Sequence, residues 1–248
     1  MRSGVLTASV AMAVYNGEKY LQEQLISILQ QLDREDELIV SVDPSSDNSW
    51  ALLQQYAKED SRIRLLKGPG QGVIANFSNA LQNCGNDIIF LCDQDDVWVH
   101  EKINKIKKIF LEQNVDLIVH DALIVDKSLN PDRSETTFFA WRKSKDGFWS
   151  NIMRNSYIGC CMAFKRSLLD VALPFPKDLP MHDQWLGLLA ELTGEVCFYP
   201  EILIKYRRHG QNVSASQHSG IMQMVKWRAD LVTALLKRWR KVRRYRRK

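Results

Sequence analysis

The chain has 248 residues, enough to bury one sizeable core or at most two small ones. Its 45% hydrophobic and 25% charged residues are those of an ordinary globular protein and exclude wholesale disorder. The net charge of +5 is unevenly placed: residues 223–248 hold 11 Lys+Arg and one acid, Asp230, so an acidic body of net charge −5 wears a basic tail.

Strand-like and helix-like segments alternate from the start. Leu6 to Val14 is apolar and partly β-branched, and Tyr15-Asn16-Gly17 breaks it. Tyr20, Leu21, Leu25, Ile28, Leu29 and Leu32 then recur at helical spacing. Glu37 to Val42 reads as a second strand ended by Asp43-Pro44-Ser45-Ser46, with Asp47 or Asn48 capping a helix that carries Leu52, Leu53 and Tyr56. Arg62 to Leu66 is a short strand, residues 68–72 a Gly-rich loop, and Ile74 to Asn83 a helix. The continuous apolar run within Asp87 to Cys92 suits a strand buried on both faces. This alternation predicts an α/β fold with right-handed crossovers and a mainly parallel sheet. Further on, Val115 to Val125 and Ile158 to Phe164 are strand-like, and Lys127 to Lys145 reads as a polar loop. Asp183 to Leu192 is a helix with Trp185, Leu188, Leu189 and Leu192 in phase, and Cys197 to Tyr206 suggests two short strands around Pro200.

In an open parallel sheet, ligands sit at the carboxyl ends of the strands. Asp93, Asp95 and Asp96 directly follow an apolar strand, and three carboxylates in four residues repel one another unless a cation or strong donors compensate. A hard divalent cation shared with substrate phosphates is one answer; a solvated acidic turn, or Asp96 capping the helix after Trp98, is the other. Asp43 ends a strand at the same edge, where it either accepts from a nucleobase or ribose or merely shapes a turn.

The chain resembles an inverting family 2 glycosyltransferase of the GT-A fold, a Rossmann-like sheet flanked by helices, close to the bacterial rhamnosyltransferase-like members. Seven pieces carry the resemblance in order over residues 5 to 215: Val14 to Leu21, Asp43 to Asn48, Gly72 to Phe77, Asp93 to Trp98, Gly159 to Met162, His182 to Trp185 and Tyr206 to Gly210. It implies an enzyme moving a hexose or deoxyhexose from a nucleoside-diphosphate sugar (UDP- or dTDP-linked) to a glycan or lipid-linked acceptor in cell-surface polysaccharide biosynthesis. It places Tyr15, Asn16, Asp43, Asn76 and Asp93 at the donor, and Asp95 with His209 on Mg²⁺ or Mn²⁺. It assigns the general base to Asp183, and Gly159, Cys160, His182, Gln184 and Trp185 to the acceptor side. A carboxylate in the first turn of a helix is kept ionised by the dipole, at some cost in basicity. Two departures touch the nucleobase: the family's Asp-Asp-Gly-Ser is Val42-Asp43-Pro44-Ser45, and its proline before Val14 is Ala13.

Residues 219–248 form a second segment after the 1–218 transferase domain. Ile221, Met224, Val225, Leu231, Val232, Leu235, Trp239 and Val242 give one apolar stripe, and Lys and Arg fill the other faces. Such a helix suits an anionic membrane surface, a packed position on the body, or an oligomer contact. No apolar run reaches about 18 residues, and no signal-peptide layout is present. Five cysteines without metal-type spacing read as small buried thiols in a reducing cytosol, so the expected location is cytoplasmic and peripheral at the inner face of the membrane. Two rival readings are an aspartyl-nucleophile phosphatase using Asp93, whose motif normally comes early in a chain, and a nucleic-acid binder led by the tail. The acidic body fits the latter poorly, and no nucleic acid is expected.

Overall fold

A computed structural model describes residues 5–131, 136–209 and 220–246. The expected boundary at 218/219, Gly210 of the last motif, the side chain of Ile221 and the terminal Arg247-Lys248 lie outside the described residues.

The first half is regular. Strands β1 (Ala8–Val14), β2 (Glu37–Val42), β3 (Ile63–Lys67) and β4 (Ile88–Cys92) alternate with helices α1 (Glu18–Leu29), α2 (Ser49–Glu59) and α3 (Val73–Gln82). The strands pair in parallel in the order β3-β2-β1-β4. Both faces of β1 and β4 are buried, which is why their sequences are apolar without alternation. The register sets Met12 beside Cys92 and Val14 beside Val42, so Tyr15, Asp43 and Asp93 emerge together at the carboxyl edge.

The second half turns the sheet mixed. It contains β5 (Val97–Trp98), α4 (Lys102–Glu112), β6 (Leu117–Val125), α5 (Phe138–Arg142), α6 (Phe148–Met153), β7 (Met162–Lys165), α7 (Leu169–Ala172), α8 (His182–Thr193) and β8 (Val196–Arg207). The eight-stranded sheet runs β3-β2-β1-β4-β7-β6-β8-β5, with β7 antiparallel to β4 and β6, and β5 antiparallel to β8.

Several expectations change here. Cys197 to Tyr206 is part of one strand, β8, rather than two. It pairs with β6 through a register shift that steps from Tyr199 to Ile202, passing over Pro200, which has no N–H to give the ladder. The polar loop at 127–145 contains α5: the Thr137 hydroxyl accepts from Ala140 N–H at 3.3 Å, and buried Phe138 meets Tyr206 edge-on. The strand expected over Ile158 to Phe164 opens with a 3₁₀ turn at Gly159–Cys161 before β7.

The last helix, α9 (Ile221–Tyr245), packs on α7 and α8. Its single expected stripe divides in two. Leu231, Leu235 and Val242 are buried against the body, whereas Val225, Val232 and Trp239 face solvent with Met222 and Leu236. Each buried aliphatic contributes about 1.5–3 kcal/mol, so the helix is held down by that stripe. Arg238 reinforces it by donating to the carbonyls of Val171, Leu173 and Pro174, and the Tyr245 hydroxyl lies 2.7 Å from that of Ser167. No described helix is long and apolar enough to cross a membrane.

Candidate active site at the carboxyl edge of the sheet

The loops after β1, β2 and β4 are tied to one another. Gln94, inside the acidic cluster, accepts from Tyr15 N–H at 2.7 Å and donates to the Tyr15 carbonyl at 2.9 Å, as a neighbouring strand would. Gly17 has no side chain because a Cβ would fall 2.6 Å from the Gln94 oxygen. Asn16, at φ +49°, accepts from Ser46 N–H at 2.8 Å, while its own N–H donates to the Ser45 hydroxyl. Asp43 is nearly buried, and one carboxylate oxygen accepts from Gly70 N–H at 2.8 Å. Asn76 at the start of α3 donates to the Val14 carbonyl, leaving its buried side-chain oxygen without a protein partner. The Tyr15 ring, by contrast, is 58% exposed above this edge.

The three aspartates after β4 have different surroundings. The Asp95 carboxylate lies 2.7 Å from His209 Nε2 at the end of β8, and the His209 ring stacks on Tyr20 at 5.0 Å. This sets an oxygen and a nitrogen ligand side by side from chain positions 114 residues apart. Asp96 is fully buried and accepts from Arg207 N–H at 2.9 Å. It therefore does not cap α4, whose first turn has no side-chain cap. Burial and the neighbouring Asp95 and Asp93 push its carboxyl well above the usual range. Asp93 is raised to about 7, first by burial and then by the charges of Asp95 and Asp183. Asp93, Asp96 and Cys160 bring three ligand-type atoms within 4.8 Å of one another. The Cys160 thiol is held protonated by its hydrogen bond with the Cys161 thiol and by burial, so it serves those carboxylates as a hydrogen-bond donor.

Asp183 stands in the first turn of α8, nearly buried. One oxygen accepts from Gln184 N–H at 2.5 Å and from Asn155 Nδ2 at 3.3 Å. Burial raises its carboxyl to about 6, against the lowering effects of these donors, the Gly159 N–H and the charge of Arg142. The expected loss of basicity at a helix start is thus overturned, because desolvation outweighs the first-turn N–H. His182 beside it is buried and stacked on Phe77 of α3 at 4.3 Å. Neither of its ring nitrogens has a protein partner, and burial lowers its pKa to about 4, so the ring is neutral. A Cβ on Gly159 would sit 3.3 Å from His182 Nε2, so glycine leaves that ring room.

A model of glycosyl transferase family 2 matches residues 9–172, two thirds of the sequence, including the loops after β1, β2 and β4. The chain belongs to that family. It is 25% identical over 221 residues to an Escherichia coli protein named UDP-Glc:alpha-D-GlcNAc-diphosphoundecaprenol beta-1,3-glucosyltransferase WfgD, covering 84% of this chain and 80% of that one. A putative teichuronic acid biosynthesis glycosyltransferase, TuaG of Bacillus subtilis, is also 25% identical, with 84% and 82% covered. Among solved structures, S. aureus TarS 1–349 in complex with UDP-GlcNAc superposes with a TM-score of 0.70 at 18% identity, over 93% of this chain and 67% of that one. The mannosyltransferase PcManGT from Pyrobaculum calidifontis, in complex with GDP-Man and Mn²⁺, gives 0.57 at 16% identity, over 96% and 64%. The fold is GT-A, and the protein is a glycosyltransferase.

Within this transferase the residues singled out by sequence gather at one edge, with two adjustments. Trp185, expected on the acceptor side, is fully buried in the core and donates its indole N–H to the Ala172 carbonyl at 3.1 Å. Cys160 is also fully buried, its carbonyl taking a bond from buried Lys102. Gln184 reaches the Asn151 carbonyl at 2.7 Å and ties α8 to α6. Sequence reasoning missed Arg142 and Asn155, which act on Asp183 across 41 and 28 positions, and Arg207. Arg207 is buried, lies 4.5 Å from the Tyr20 ring centroid, pairs with Glu23 and donates to the carbonyls of Asp95 and Lys127. Arg142 is a lone arginine in a segment read as loop, which no motif flags, and Arg207 lies within the Tyr206 to Gly210 piece without having been given a role of its own.

Proposed function

We propose that this family 2 enzyme inverts at the anomeric carbon of a nucleoside-diphosphate hexose or deoxyhexose, with Asp183 as general base. The observation that carries the reading is the convergence of Asp93, Asp95 and Asp183, close enough that the last two raise the carboxyl of the first. In a single displacement the acceptor hydroxyl gives its proton to Asp183 as its oxygen bonds the anomeric carbon, and the bond to the leaving diphosphate breaks on the opposite face. A carboxyl poised near 6 is a stronger base than an ordinary aspartate yet still ionised at neutral pH.

Tyr15, Asn16, Asp43, Asn76 and Asp93 are assigned to the donor: an exposed ring for the base, and polar groups on loops fixed before it arrives. Asp95 and His209, already paired, would hold Mg²⁺ or Mn²⁺; the carboxylate suits either ion, and the imidazole nitrogen favours the softer Mn²⁺. The ion would supply charge to stabilise the departing diphosphate. Gly159, His182 and Gln184 border the acceptor side. The relatives' names favour a UDP-linked donor and a lipid-linked glycan acceptor in cell-surface polysaccharide biosynthesis. Such an acceptor places the enzyme on the cytoplasmic membrane face, with 219–248 as the contacting segment.

A thermal-shift panel of UDP, dTDP and GDP, with and without Mn²⁺, tests the donor assignment. Stabilisation by one nucleotide, strengthened by Mn²⁺ and abolished by EDTA, is expected; no stabilisation by any nucleotide with metal would sink it.

A further inference from the structure

Exposed apolar surface is not confined to the C-terminal helix, and part of the stripe that reads as lipid-facing in the sequence is consumed by the body. Leu231, Leu235 and Val242 pack inward. Of the apolar side chains left to solvent, Met222, Val225, Val232 and Leu236 lie about a quarter-turn or more round the helix from the packed stripe, Trp239 sits at its margin, and Trp227 is on the opposite flank. Leu236 is 71% exposed. A second element adds to this set. Trp149 and Met153 on α6 are 76% and 62% exposed, and Arg228 of α9 donates to the Met153 carbonyl at 2.7 Å, so α6 meets the N-terminal half of α9.

From the acceptor-lipid reading above, the geometry points to a two-helix surface, α6 with the outer face of α9, that seats the enzyme on an anionic bilayer beside Asp183. Two independent features commit this face to lipid. The first is charge: exposed Lys226, Lys237, Arg240, Arg243 and Arg244 surround the apolar side chains, and Asp230 is the one acid of the helix. The rest of the body carries net −5 and is repelled by the same surface, so attraction and repulsion together select one orientation. The second is connection to the chemistry. Two residues after Met153, Asn155 donates to the Asp183 carboxylate, and Gln184, next to Asp183, donates to the Asn151 carbonyl on α6 itself. The helix that offers Trp149 and Met153 to solvent is therefore tied to the first turn of α8, which carries Asp183.

The test uses the full chain and vesicles of phosphatidylcholine alone or mixed equally with phosphatidylglycerol. Co-sedimentation is expected with the anionic vesicles, with little on the neutral ones and release by high salt. Trp149→Ser combined with Met153→Ser leaves α9 untouched and should weaken binding about tenfold. Lys237→Glu with Arg243→Glu should abolish it. Nucleotide-induced thermal shift in Mn²⁺ should be unchanged in both variants, which shows that they fold. Binding of the α6 variant equal to the original chain overturns the two-helix surface, as does equal binding to neutral and anionic vesicles. A self-associated dimer that this variant dissociates assigns the face to a second copy and overturns it too. Absence of any nucleotide effect in the unmodified chain counts against the glycosyltransferase site, and leaves the vesicle result to be read by itself.

Discussion

The two parts of this sheet edge, the one we assign to the donor and the one we assign to the acceptor, are built differently. On the donor side nearly every polar group is committed before a ligand arrives: Gln94 to Tyr15, Asn16 to Ser45 and Ser46, Asp43 to Gly70, Glu18 to Asn48. The Asn76 side-chain oxygen and Asp96 Oδ2 are buried exceptions. Beside Asp183, both nitrogens of His182 and Arg142 Nε are buried without protein partners. Orphaned buried polar atoms cost about 1–3 kcal/mol each, so their clustering near the base marks a place that a substrate or its water completes. The contrast separates the two tasks. A nucleotide meets loops already fixed, whereas the acceptor pocket is finished by what enters it.

The largest break in that contrast is expected from Asp183→Asn. Transfer should fall by about 10²–10⁴-fold, while the donor's dissociation constant stays within about twofold, since the base acts only on the acceptor. The same variant should melt at a higher temperature at pH 8. The sign follows from the raised carboxyl: the folded state binds the proton more tightly than the unfolded chain, so ionisation above about pH 6 costs stability, a cost asparagine removes. Below the ordinary carboxylate range, near pH 3.5, the melting gain should vanish.

Arg142→Ala comes next. Its guanidinium acts on Asp183 and has an unpartnered Nε, so acceptor KM should rise roughly tenfold with donor affinity intact. An equal loss on both substrates places Arg142 in the scaffold instead. Gln94→Ala should do the reverse: it unties Tyr15 and weakens nucleotide binding by about five- to tenfold, read by titration calorimetry, with little change in acceptor KM. The smallest effect is a pH limb. The kcat of the unmodified enzyme should fall to half near pH 6 as Asp183 takes up its proton, and a limb near 4 would show that substrate displaces the burial effect.

Legibility in the sequence followed the same division. Strands β1, β2 and β4 are buried almost throughout and joined by regular crossovers, and half-buried β3 follows the same rhythm, so apolar runs and punctuation sufficed to find these strands and to place Asp43 and Asp93 at one edge. In the second half the elements are shorter: α5, α6 and α7 have five, six and four residues, too few for helical periodicity to register. β7 runs antiparallel between β4 and β6, a reversal with no local signature. Arg142 and Asn155 lie in that half, and so went unseen.

The residues by themselves determined which carboxylates end buried strands, which histidine follows the last strand, and that the chain ends in a basic amphipathic helix. Only the tertiary structure decided how each was used. It buried Trp185, raised Asp183 to about 6 where the helix start alone argued for the opposite, and divided the tail's one apolar stripe into a packed side and an exposed one. The reason is common to all three: periodicity tells which side chains share a face, but desolvation depends on what that face meets, and its partners come from far along the chain.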